Sequence, residues 1–197
     1  MGASLQPVRY RIALPVVLFI LLAVTLLYAS TSKRGLLTNV ASSIGRISAS
    51  AGTLLIVLSF ILGPIRAFIH LPPSTLSYRA FFGMMGFLLV SIHGLLFLSL
   101  LSSRSFEFQN LLPVTAGVFS LLLFAVLAAT SHPLVLDGLG EKTWRSIQRL
   151  GYLALALALL HVVFVEEGHY LSAFIGQLVS LLVSLAILLR IYVIFHR

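Results

Sequence analysis

The chain has 197 residues, of which 59% are hydrophobic and only 9% charged, and its mean hydropathy is +1.10. That composition excludes an ordinary soluble domain and leaves one all-α integral membrane domain over residues 1–197. The formal net charge of +8 comes from single basic residues between apolar runs rather than a clustered basic stripe, which excludes nucleic acid as the partner and makes these residues topology signals and headgroup anchors.

Six apolar runs, each near the roughly 20 residues needed to cross the hydrocarbon, follow in chain order. The first, Ile12–Ala29, has Arg9 and Arg11 before it, as a signal sequence would. Its apolar core is longer than a usual signal, so it is read as an uncleaved first helix. The second, Ile47–Ile69, opens through Gly45-Arg46-Ile47-Ser48-Ala49. The third, Ala80–Leu101, follows the breaker "LPPSTLS" (71–77) and Arg79. The fourth is Leu111–Ala129. The loop "SHPLVLDGLGEKT" (131–143) leads to the fifth, Leu150–Val165, a short run that the amphipathic turn Trp144–Arg149 can lengthen. The sixth is Leu171–Ile194. No low-complexity segment and no convincing whole-domain repeat stands out.

A six-helix bundle puts Arg9, Arg11, Arg66, Arg79, Lys142, Arg145, Arg149, Arg190 and Arg197 on one side. Lys33, Arg34, Arg46 and Arg104 fall on the other. The positive-inside rule then makes both termini cytoplasmic. There is no cysteine, which excludes disulfides, thiolate-held iron–sulfur clusters and covalent haem attachment through Cys-x-x-Cys-His.

Of six histidines, only His93 and His161 lie well inside spans, where an ionisable group is expensive and faces partners within the bundle. His93 is 14 residues beyond Arg79 and His161 is 13 beyond Gln148. Both therefore climb about 20 Å, into the outer half of the membrane. On the same helical stripe beneath His93 come Val90, Gly86 and Gly83; beneath His161 come Ala158, Ala154 and Gly151. Small residues under two level imidazoles would leave a slot for a flat ligand such as haem, for which histidine is a standard axial ligand. The same stripes also let membrane helices pack closely without any cofactor. His70, His132, His169 and His196 lie at span ends or in loops. Of these, His70 and His132 could form an inner site. Glu166, Glu167, His169 and Tyr170 form an outer cluster that could dock a basic acceptor or a metal, or be a solvated turn.

"YRAFFGMMGFLLVSIHGLLFL" (78–98) and "TSHPLVLDGLGEKTWRSIQRLGYLALALALLH" (130–161) resemble the ferric-reductase-like transmembrane domain. That superfamily includes the membrane subunit of the bacterial methionine sulfoxide reductase system, the STEAP reductases and the NADPH oxidases. Arg79, Gly83 and His93 match its third helix. Thr130, Ser131, Trp144, Arg149, Tyr152 and His161 match the region of its fifth. The resemblance covers about residues 40–190.

The resemblance implies haem b with His93 and His161 as axial ligands and electron transfer towards the outer face. Gln148 stands where the family has another histidine, and Arg79-Ala80 stands where two-haem members carry a lower one. One outer haem is therefore expected and the inner site is not. No nucleotide-binding domain is evident, so electrons would come from a partner protein, a flavin or a quinol. A flavin or quinone near Arg79, Gln148 and Arg149 is one expectation; headgroup contact is the plainer alternative. Arg46 could pair with a haem propionate or anchor the helix. Two other functions stay open: a haem-poor structural subunit of a larger membrane complex, and a transporter, for which the spans offer only Gln177 and no acids. The expected location is a bacterial inner membrane, with lipid and electron-transfer proteins as partners.

Overall fold

The computed structural model describes residues 8–31, 40–66, 68–70, 75–101, 111–131, 135 and 138–196. They form six long helices and no strand. These are α1 (Val8–Thr31), α2 (Val40–Ile65), α3 (Thr75–Leu101), α4 (Leu111–Thr130), α5 (Glu141–Phe164) and α6 (Phe174–Phe195). A 3₁₀ segment, Val165–Ser172, joins the last two. Five of the six, all but α1, contain segments long and apolar enough to cross a membrane; in α1 the corresponding apolar stretch is the shorter Ala13–Leu26. The protein is thus built as a multi-pass membrane protein. Large apolar side chains such as Phe19, Leu95, Phe119 and Leu181 point outward, where lipid replaces water.

The helices overlap the apolar runs, although α2 opens at Val40 rather than Ile47 and closes at Ile65 rather than Ile69, and α3 opens at Thr75 rather than Ala80; two further differences are informative. Helix α5 starts nine residues before Leu150, because the amphipathic stretch from Glu141 continues the same helix and is tied down by Trp144 and Gln148. Helix α6 starts at Phe174 rather than Leu171. Leu171 belongs instead to the 3₁₀ segment, whose Tyr170 carbonyl occupies the space a side chain on Gly176 would need.

Helix α2 is central: 56% of its span is buried, against 28% or less for the other four. Its Ala51, Ile56, Val57 and Phe60 pack with Ala154 and Leu155 of α5 and with Val179, Val183 and Ala186 of α6. Helices α2 and α3 form one antiparallel hairpin, and α4 and α5 form another. In the first, the backbones meet at Gly52 and Gly86. A Cβ on Gly52 would lie 2.8 Å from the Gly86 carbonyl oxygen, and a Cβ on Gly86 would lie 2.7 Å from that of Gly52. Without a hydrophobic drive between helices in lipid, such close approach supplies the packing energy. In the second, Ser120 Oγ donates to the Ala154 carbonyl at 2.8 Å.

The two hairpins match position for position at an offset of 68 residues. Gly45, Gly52, Ser59, Gly83, Gly86 and His93 of the first correspond to Pro113, Ser120, Leu127, Gly151, Ala154 and His161 of the second. Gly52 meets Gly86 as Ser120 meets Ala154, and Ser59 meets Gly83 as Leu127 meets Gly151. The repeat is one of geometry. Only Gly83/Gly151 and His93/His161 keep the residue type among those six pairs, which hides it from a reading of the sequence.

Gly52→Leu forces a side chain into the Gly86 carbonyl and Val90. It should cost about 1–3 kcal/mol by overpacking and lower the unfolding midpoint in detergent. Gly138, whose added Cβ would meet nothing within 4 Å, serves as the control: Gly138→Ala should stay within about 0.5 kcal/mol.

Candidate functional site

The two hairpins bring His93 and His161 together. Their ring centroids are 6.3 Å apart and the rings are inclined at 65°. Each imidazole is held by the first helix of its own hairpin. His93 Nδ1 lies 3.1 Å from the Gly45 carbonyl oxygen of α2, and His161 Nδ1 lies 2.8 Å from the Pro113 carbonyl oxygen of α4. Both pairs are 48 residues apart in sequence. A carbonyl can only accept, so each Nδ1 carries the proton and, in the neutral ring, each Nε2 carries the lone pair.

Glycine makes room for this on α4. A Cβ on Gly117 would sit 2.8 Å from His161 Nδ1 and 3.1 Å from both Cγ and Cε1. Gly45 is looser, since its Cβ would be 3.8 Å from His93 Nδ1. Pro113 is in the first turn of α4, where a residue without an N–H breaks no helical hydrogen bond.

The separation of the two rings is compatible with both binding one metal. Two imidazoles bonded to one metal from opposite sides hold their ring centres roughly 6 Å apart, from about 2 Å per metal–nitrogen bond and about 1 Å from nitrogen to ring centre. Rotation about that shared axis is free, so an inclination of 65° is compatible. Among the described residues no group of three or more His, Asp or Glu forms. The pair thus falls short of a protein-only zinc set but supplies what a macrocyclic iron takes from its protein. Helices α3 and α5 do not pack extensively on each other.

The small residues beneath the histidines have other neighbours. Gly86 meets Gly52 and Ile56, Gly83 meets Ser59, and Gly151 lies under the Phe60 ring beside Leu127. Ala154 is fully buried and receives Ser120, while Ala158 is half-buried. These residues set how closely the helices approach, within each hairpin and, at Gly151, against α2. Arg46, one residue beyond Gly45, is exposed at the histidine end of α2. At that end Tyr170 and Ser50 share a 2.6 Å hydroxyl–hydroxyl hydrogen bond that fastens the 3₁₀ segment to α2.

At the opposite end, the residues quoted from the fifth-helix region close the α4–α5 hairpin. Trp144 Nε1 donates to the Thr130 carbonyl at 3.0 Å. The Gln148 amide reaches the Leu127 carbonyl, Thr130 Oγ1 and Ser131 Oγ at 3.3–3.4 Å. Gln148 is therefore occupied with α4, while Arg149 is exposed. Arg79 is fastened to α2, its Nε donating to the Ser59 carbonyl at 3.0 Å and its own carbonyl accepting from Ser59 Oγ at 2.7 Å. His70 is exposed. His132 and the side chains of Glu166, Glu167 and His169 lie outside the described residues.

No family model matches the chain. A 70-residue stretch is 37% identical to a protein of Treponema pallidum (strain Nichols) described as an uncharacterized protein. The match covers 34% of this chain and 19% of that relative. The reading of function therefore rests on this chain's own residues.

Sequence reasoning reached both histidines but not Gly45, Pro113 and Gly117, which orient them. The equal 48-residue spacing from each histidine back to Gly45 and Pro113 gains meaning only once the helix contacts are known.

Nitrogen-15 NMR of histidine-labelled protein at neutral pH, without added cofactor, should find both buried rings as Nδ1–H tautomers. Gly117→Ala should leave His93 as it is and turn His161 into a mixture of tautomers, because the new methyl expels its Nδ1 from the Pro113 carbonyl.

Proposed function

We propose that this protein is a b-type membrane cytochrome of the ferric-reductase-like kind, carrying electrons across a bacterial inner membrane through one haem ligated by His93 and His161. The observation that carries the reading is the pair of imidazoles, 6.3 Å apart, each held at Nδ1 by a carbonyl of a different helix. Metal-binding histidines are oriented in this way by an acceptor on the far ring nitrogen, which also raises the basicity of the ligating one. The haem, when bound, supplies a one-electron iron couple.

The chain's own contribution is to hold two donors at a fixed separation in an apolar surround. The Gly45 and Pro113 carbonyls fix ring rotation. Gly117 admits His161. The helix pairs, clamped by Gly52–Gly86 and Ser120–Ala154, hold each ring in place within its own hairpin. Arg46, on the same turn as Gly45, is the residue suited to a propionate. The excess of basic residues at the Arg79 end puts that end and both termini in the cytoplasm, with the histidines towards the outer face.

A single haem follows from Gln148 and Arg79, both of which are engaged with neighbouring helices where a second pair of ligands would stand. The electron donor is a flavin, a quinol or a partner protein at the cytoplasmic end, and the acceptor lies outside.

Protein purified from haem-replete cells should carry one b-type haem per chain and show a Soret band. His93→Ala and His161→Ala should each abolish it. Gly117→Ala should weaken haem binding by about 10- to 100-fold, as loss of an orienting partner does. A colourless wild-type preparation from such cells would sink the reading.

A further inference from the structure

The end of the bundle away from the histidines holds a second group of polar side chains that electron transfer does not use. The Arg79 guanidinium lies flat against Gly63 of α2: a Cβ there would be 3.4 Å from its Cζ and Nη1 and 3.6 Å from its Nη2. The missing side chain lets Arg79 reach across α2 towards α5 and α6. Arg190 of α6 comes from the other side, its Cζ 5.5 Å from the centre of the Tyr152 ring. Arg79, Tyr152 and Arg190 are close enough to interact electrostatically.

Two guanidinium groups thus approach the Tyr152 ring from α3 and α6, and among the described residues no carboxylate pairs with either. Among the described residues, the ion pair is Arg145 with Glu141, both exposed on the first turns of α5. Arg79 spends only Nε on the protein, leaving Nη1 and Nη2 without a hydrogen-bond partner among the described residues. Arg190 makes a ring contact and no hydrogen bond there. The Tyr152 hydroxyl has one long bond, 3.4 Å, to the Phe60 carbonyl. Two like charges close together repel, and the partly buried Arg79 has also lost hydration. An anion between them removes both costs. Arginine's planar fork matches the oxygens of phosphate, and a phenol adds a donor. Arg79 is the second residue of its span, Tyr78–Leu98, which is headgroup depth. It is 14 residues from His93, about 21 Å along α3, so the group is separate from the histidine pair.

We propose that Arg79, Tyr152 and Arg190 form a binding site for a phosphate group, either of an anionic phospholipid headgroup or free in solution. Native mass spectrometry of the full chain in detergent tests it, with phosphatidylglycerol, phosphatidylcholine and inorganic phosphate each added to delipidated protein. Wild type should retain one phosphatidylglycerol, or one phosphate, and not phosphatidylcholine. R79Q and R190Q should each lower retention by about tenfold or more, the scale of a hydrogen bond to a charged group, and R145Q should not. Retention of phosphatidylglycerol but not of phosphate identifies a lipid headgroup as the source; retention of phosphate alone identifies a free anion. Failure to bind either, equal retention of phosphatidylcholine, or unchanged binding in R190Q overturns the proposal. R190Q decides the matter if R79Q fails to fold, since Arg190 holds no hydrogen bond among the described residues, and the unfolding midpoint is measured on each sample. Haem absorbance in the same samples reports on the histidine site alone, so the two proposals fail separately.

Discussion

Two hydrogen bonds organise this molecule, one from each buried imidazole to a backbone carbonyl of the neighbouring helix. Inside hydrocarbon a polar ring cannot turn to water, so it must find a partner within the bundle. His93 finds Gly45 and His161 finds Pro113. Those bonds fix which face of α3 looks at α2 and which face of α5 looks at α4. They also determine which ring nitrogen carries the proton. Once both Nδ1 atoms are committed, the Nε2 atoms of the neutral rings are left unprotonated.

The packing that keeps the pair in place is nearly all small residues and short side chains. Gly52 and Gly86 let two backbones touch, and Ser120 reaches the Ala154 carbonyl. Each lies two helical turns from the histidine anchor of its hairpin. The repeat at 68 residues makes the site a meeting of two equivalent units, each contributing one imidazole and one carbonyl. Such an arrangement is economical in lipid, where association rests on van der Waals fit and interhelical hydrogen bonds rather than on exclusion of water. Thr130, Ser131, Trp144 and Gln148 close the far end of the second hairpin, as the Ser59–Arg79 pair closes the first.

The molecule is therefore polar in two layers and apolar between and around them. One layer is the histidine pair, with the Ser50–Tyr170 hydrogen bond five residues further along α2 from Gly45. The other is the group of Arg79, Tyr152 and Arg190 around the inner turns of α2, where Gly63 opens a passage over the helix. The layers differ in sign as well as position. The first presents two imidazoles; the second presents the positive charge of two guanidinium groups. Helix α2 touches both, which is why it is the most buried of the spans.

The sequence by itself determined the class, the number of helices and the identity of the two histidines. Apolar runs of span length can only be membrane helices, and an imidazole among them is conspicuous because its burial is costly. Only the tertiary structure decided what faces what. Gly83, Gly86 and Gly151, equally readable as a slot lining or as packing residues, take their neighbours from α2 and α4, because a small residue on a stripe does not say which helix will press against it. The carbonyls of Gly45 and Pro113 could not be singled out in the sequence, since every residue has one. Their role comes from the crossing of two helices that are 48 residues apart along the chain.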